Sequence, residues 1–183
     1  MQTVEVSKTL RIPDGVEVSV KKDRVVTVKG PKGTLTRDFS NAPVTIQLKG
    51  DEISIESSWP RKKEASLVGT IYSHINNMMT GTLKGFTYRV KVIFAHFPVT
   101  VTVKSGDVLI ENFTGERSVR VAKIKGDTKV TVKGEDIIVQ GISLEDVAQT
   151  AANMEQATKV KRKDPRIFLD GLFVFERSEG MEG

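Results

Sequence analysis

The chain contains no cysteine, which excludes disulfides, thiolate metal sites and cysteine nucleophiles and agrees with a reducing compartment. Histidine is almost as scarce, with only two in 183 residues. His74 and His96 fall on different predicted elements, and no His-Glu-x-x-His spacing offers a zinc site. Acidic residues are scattered through turns and polar strand faces, so no general acid and base pair can be nominated. A non-enzymatic protein without cofactor or metal is the expectation. Long apolar runs are missing too. The stretch Val90 to Phe94 is broken by Lys91, far short of the roughly 20 residues that cross a bilayer. The start, Met1-Gln2-Thr3-Val4-Glu5, lacks a charged leader followed by an apolar stretch, so a soluble, cytoplasmic chain is expected rather than a secreted or membrane one.

Hydrophobic residues make up 38% and charged residues 28%, a balance that suits two modest cores better than one large one. Lys plus Arg number 28 against 23 Asp plus Glu, a formal net charge of +5. Such an excess invites polyanions wherever it is concentrated on the surface.

An internal repeat organises the chain. Val44 to Ile55 matches Thr128 to Val139 at an offset of 84. Both copies alternate apolar and polar residues around Gly50 or Gly134, the pattern of a tight hairpin. Further alternation precedes each hairpin, with Val16, Val18 and Val20 corresponding to Val99, Val101 and Val103. A helix follows each. In the first, Pro60 suits the first helical position, and Ala65, Val68, Ile71, Tyr72, Ile75, Met78 and Met79 recur at spacings of three and four before Gly81 stops the run. In the second, Ser143 and Asp146 form a capping-box pattern, and Leu144, Val147, Ala148, Ala151, Met154 and Ala157 mark the apolar stripe.

Strands then a helix, twice, imply an α+β fold: two similar domains, each a largely antiparallel sheet with a helix packed on one face. The domains are placed at 1–82 and 83–183, with the seam near Thr82 to Phe86. No Pro-rich or Ser-rich linker intervenes, so stiff coupling is expected.

Four features carry charge or unusual chemistry. Lys159, Lys161, Arg162, Lys163 and Arg166 surround one acid, Asp164, just beyond the second helix. Such a loop can reach several phosphates at once. A solvated run at a helix C-terminus, where cations favour the dipole, is the plainer alternative. Arg61, Lys62 and Lys63 stand at a helix start, where positive charge opposes the dipole and an external anion becomes a reason for them. Gly30-Pro31-Lys32-Gly33-Thr34 lacks the spacing of a nucleotide-binding loop and reads as a strand turn. Ala95-His96-Phe97-Pro98 reads as a turn or edge, because Pro98 cannot donate to a ladder. His96 is a candidate RNA contact, and His74 a structural residue. Aromatics amount to 6% and do not interleave with the cations, which favours folded RNA read by backbone and shape over a loose strand.

Four stretches together resemble the universal large-subunit ribosomal protein family called L six in bacteria and L nine in eukaryotes: Gly30 to Thr36, Ile75 to Gly81 running on to Gly85-Phe86, Ala95 to Val99, and Lys163 to Gly171. The resemblance spans nearly the whole chain. Bacterial members carry a Pro-Glu-Pro-Tyr-Lys-Gly-Lys-Gly-like stretch where this chain has Lys163 to Gly171, so the form looks eukaryotic or archaeal. The resemblance implies a structural constituent of the large subunit whose second domain binds ribosomal RNA near the sarcin–ricin loop, at the factor-binding side. It also implies neighbouring ribosomal proteins as partners and a monomer within the ribosome. It tips the basic loop toward RNA contact. The acidic end, 176–183, is expected to lie away from phosphates as a short tail. A rival reading is a protein-docking module that uses its duplicated sheets without direct RNA contact.

Overall fold

Alternation around a glycine turn becomes a hairpin twice, in register with the repeat. In the computed structural model, which describes residues 5–21, 24–161, 163–164 and 166–181, the chain divides into two compact units, 1–84 and 85–183.

The first unit contains β1 (Glu5–Arg11), β2 (Glu17–Val20), β3 (Val25–Gly30), β4 (Gly33–Asp38), β5 (Thr45–Lys49), β6 (Glu52–Ser58) and α1 (Lys62–Leu83). Its strands form two antiparallel three-stranded sheets, ordered β1-β6-β5 and β2-β3-β4. The expected antiparallel sheet is thus divided in two. Central β6 buries Ile53 and Ile55 completely, and α1 lays Val68, Ile71, Ile75 and Met79 into the same core. Gly50 turns the β5–β6 hairpin at φ 62, a conformation that costs glycine little.

Both ends of α1 differ from expectation. Pro60 stays outside, and Arg61 is the N-cap, its amide donating to Glu64 Oε2 over 2.7 Å. At the other end Gly81 is buried inside the helix, which runs on to Leu83, where the Lys84 amide donates to Thr80 O over 2.8 Å. Packing decides this outcome: Thr82 O accepts the Lys32 amide over 3.0 Å. A Cβ on Gly30 would fall 2.7 Å from the same oxygen. The β3–β4 turn therefore rests on the last turn of α1 and holds it helical. Gly85, at φ 79, supplies the left-handed stop four residues later than Gly81 would have.

The second unit contains β7 (Phe86–Ile93), β8 (Thr100–Lys104), β9 (Asp107–Glu111), a 3-10 turn (Phe113–Gly115), β10 (Arg120–Lys123), β11 (Lys129–Lys133), β12 (Asp136–Gly141), α2 (Leu144–Ala157) and β13 (Gly171–Glu179). Its sheets are ordered β10-β9-β8 and β11-β12-β7-β13, and every pairing is antiparallel. Ser143 caps α2, its Oγ accepting the Asp146 amide over 3.3 Å. Val147, Ala151 and Met154 enter the core with Val90, Val139, Ile110 and Phe113. Thr150 is fully buried as well, its hydroxyl donating to Asp146 O and accepting the Lys125 amide over 2.7 and 3.0 Å.

The acidic end is not a free tail. Residues 176–179 are strand, paired with β7 beyond a bulge at Phe175, and Glu176 meets Arg89 at 3.3 Å across the pair.

Candidate nucleic-acid interface

The basic segment leaves α2 as an irregular loop and returns as β13. Lys159, Lys161, Lys163 and Arg166 are all exposed, while Arg162 and Pro165 lie outside the described residues. A loop of like charges would splay unless something held its ends, and both ends are held.

At the departing end Arg120 spans two elements. Its Nη1 donates to Ala157 O over 2.9 Å and to Lys159 O over 3.2 Å, satisfying carbonyls that a helix terminus leaves open. Glu116 grips the same guanidinium with both oxygens, at 2.9 and 2.6 Å, and the Phe113 ring lies 4.4 Å from its carbon. The Arg120 hydrogen bonds hold the Glu116 carboxyl below its usual value, outweighing partial burial, and the charges of Lys163 and Lys161 help. Thr158 fastens the next residue: its Oγ1 donates to Met154 O and accepts the Leu172 amide, over 3.1 and 3.0 Å.

At the returning end Asp170 is the anchor, with 1% of its side chain exposed. Its Oδ1 accepts the Ala95 amide over 2.6 Å and the His96 amide over 3.3 Å. Its Oδ2 lies 2.9 Å from His96 Nδ1. An ionised carboxylate only accepts, so Nδ1 carries the proton and Nε2 is the open position of the ring. Burial works to raise the Asp170 carboxyl, but the bonds from the Ala95 amide and from the His96 ring and amide hold it below its usual value.

His96 then stacks on Phe168, with centroids 4.6 Å apart and planes at 24°, and Lys163 Nζ sits 4.4 Å from the Phe168 centroid. The 95–98 turn is secured from its other side by Asn112 Nδ2, which donates to Pro98 O over 3.0 Å. Imidazole and ammonium thus both meet the one phenyl ring of the loop. Aromatic and basic residues do meet here, contrary to the sequence expectation: Lys163 reaches a ring five residues on within its own loop, and folding brings His96 to that ring from the 95–98 turn. Arg166 is less open than its charge suggests, since Nη2 and Nε reach Asp164 at 3.1 and 3.2 Å. Those contacts, with the Arg166 amide, keep the Asp164 carboxyl below its usual value. The pair is solvent-exposed and easily exchanged for a phosphate.

Of the sequence candidates, the structure brings His96 and Lys163 together and places Lys159, Lys161 and Arg166 on the same loop. Arg61, Lys62 and Lys63 are exposed on the first turn of α1, in the first unit. His74 lies 6.4 Å from the Phe39 ring. Arg120, Glu116 and Thr158 escaped the sequence reading, and Phe168 and Asp170 entered it only within the stretch Lys163 to Gly171, with no role of their own. Glu116 and Arg120 stand four residues apart, a spacing that could have signalled their pair, whereas Asp170 and Thr158 act on partners distant in sequence. Among the described residues no three histidines or acids gather as a metal site, and no helix is long and apolar enough to cross a membrane.

The family model of ribosomal protein L6 matches this chain twice, over residues 12–85 and 97–171. The chain belongs to the ribosomal protein L6 family. The matched segments follow the internal duplication, one in each unit, and the family is structural rather than enzymatic. Archaeal members are similar throughout. The large ribosomal subunit protein uL6 of Methanosarcina mazei is 45% identical over 174 residues, 95% of this chain and 98% of that protein. That of Desulfurococcus amylolyticus is 48% identical over 179 residues, 96% and 97%. That of Staphylothermus marinus is 49% identical over 172 residues, 92% of each. The L6 family relationship thus covers the loop that carries the candidate interface.

Proposed function

We propose that this L6-family chain is a structural constituent of the large ribosomal subunit and that its second unit grips folded ribosomal RNA through the latched 159–170 loop. The observation that carries this reading is an exposed cationic loop tied down at both ends, by Arg120 with Thr158 and by Asp170. Ends fixed before contact lower the entropy that the segment must lose on binding. Lys159, Lys161, Lys163 and Arg166, together with Arg162, supply phosphate contacts, and His96 offers Nε2 beside them. The finer location, near the sarcin–ricin loop on the factor-binding side, follows from the family resemblance. Neighbouring ribosomal proteins are the proposed further partners. Ile167 and Leu169, 63% and 61% exposed, give the loop an apolar flank suited to them. The chain would enter the particle as a monomer.

Replacing Lys161, Lys163 and Arg166 together with alanine tests the reading. The triple variant, shown folded by circular dichroism, should weaken binding to a folded large-subunit RNA fragment and lower the slope of log affinity against log salt by about 2 to 3. An unchanged affinity and slope would remove the loop from the interface. If the chain's association with native particles survived complete RNA digestion, the protein-docking reading would replace this one.

A further inference from the structure

Trp59 is the one tryptophan of the chain, and it stands just before α1 with 68% of its surface exposed, the most of any large hydrophobic side chain described. Its backbone lies at φ 51, in the left-handed region where a bulky residue is an outlier. Among the described residues no other ring and no cation packs on the indole. Burial therefore gains the first unit little from this side chain, and the backbone conformation is strained, a combination that points toward function.

Arg61, Lys62 and Lys63 follow within four residues, all exposed. Lys62 and Lys63 have no acidic partner among the described residues. The adjacent acid, Glu64, is engaged by the Arg61 amide at 2.7 Å. An open aromatic face beside unpaired cations is the chemistry of a site for unpaired nucleotides. The ring stacks on a base of any identity, and the cations meet the flanking phosphates. A continuous duplex keeps its bases stacked on one another and offers the indole a face only at its ends. The local positive charge favours a polynucleotide over an apolar protein segment.

We propose that Trp59, with Arg61, Lys62 and Lys63, forms a stacking site for an unpaired RNA base on the first unit. The inference rests on the RNA-binding reading and adds to it a second surface and the single-stranded character of its target.

A single tryptophan makes the test direct. The full-length chain is titrated with an unstructured RNA of about eight nucleotides and, separately, with a folded RNA hairpin. Indole fluorescence and the anisotropy of labelled RNA are read together. The unstructured RNA should quench the indole, and Trp59→Ala, matched to wild type by circular dichroism, should weaken its binding about tenfold, whereas Trp59→Phe should retain most of it. Replacing Arg61, Lys62 and Lys63 with alanine should lower the salt slope for that RNA by about 2. Unquenched binding of the unstructured RNA, or unchanged affinity in Trp59→Ala, overturns the stacking site. Hairpin binding that still depends on Lys161 and Lys163 would then leave the earlier reading intact. If neither RNA binds, both fall. In native particles, a Trp59 peptide that stays protected from hydroxyl-radical oxidation after complete RNA digestion, as read by mass spectrometry, would mean that protein covers Trp59, which also overturns the proposal.

Discussion

Replacing Asp170 with asparagine separates the latch from the shape of the loop. Asparagine is nearly isosteric, and its carbonyl can still accept the Ala95 and His96 amides that Oδ1 accepts at 2.6 and 3.3 Å. What it removes is the charged acceptor facing His96 Nδ1 at 2.9 Å. Hydrogen bonds to charged groups contribute about 1.5–3 kcal/mol and neutral ones about 0.5–1.5. Because the amide NH2 can meet Nδ1 only after the ring changes tautomer, the net loss should be about 1–2 kcal/mol at pH 7. Urea unfolding of both proteins, followed by far-ultraviolet circular dichroism across pH, measures it. The sign of the pH effect follows from the direction of the shift. The folded Asp170 carboxyl lies below its usual value, so its stabilisation is complete above the unfolded value, about 4, and is lost as pH falls through the lower folded value. The gap between wild type and Asp170→Asn should therefore be full at pH 7 and narrow below about pH 4. Equal stability at pH 7, or a gap that stays constant into strong acid, would refute the latch. A cycle with His96→Ala should show coupling, since the two side chains share the bond being tested.

Two further substitutions probe the same unit. Arg120→Ala removes the bidentate pair with Glu116 and both carbonyl bonds at the end of α2; a loss of about 2–4 kcal/mol is expected in urea, with little rescue by lysine, which cannot reproduce the planar fork. Thr150→Val keeps the shape of a fully buried side chain but leaves the Lys125 amide without its acceptor, so a loss of about 1–3 kcal/mol and faster exchange of that amide are expected by nuclear magnetic resonance.

Much of the fold was legible because its signals are local. The period-two alternation and the glycines at 50 and 134 give both repeat hairpins, and the stripe Val68, Ile71, Ile75, Met79 gives α1 and its buried face. Readings failed where packing chose between equal local signals. Gly81 and Gly85 both suit a helix stop, and the Lys32 amide on Thr82 O favours the later one. Glu176, Arg177 and Glu179 disguise β13 as a tail, since the strand is defined by pairing with β7, far earlier in the chain. For the candidate interface, composition revealed the cations but not what fixes them. The bond between His96 and Asp170 bridges 74 residues, and Arg120 finds its carbonyl partners 37 and 39 residues away. No spacing rule reaches that far.

Ultraviolet crosslinking of purified native large subunits, with the crosslinked peptides read by mass spectrometry, addresses the RNA contact itself. Nucleotide adducts should appear on the peptides spanning residues 159–170 and on the one carrying His96. Absence of adducts there, while Lys161 and Lys163 react freely with a water-soluble amine reagent in the intact particle or crosslink to protein alone, would contradict it.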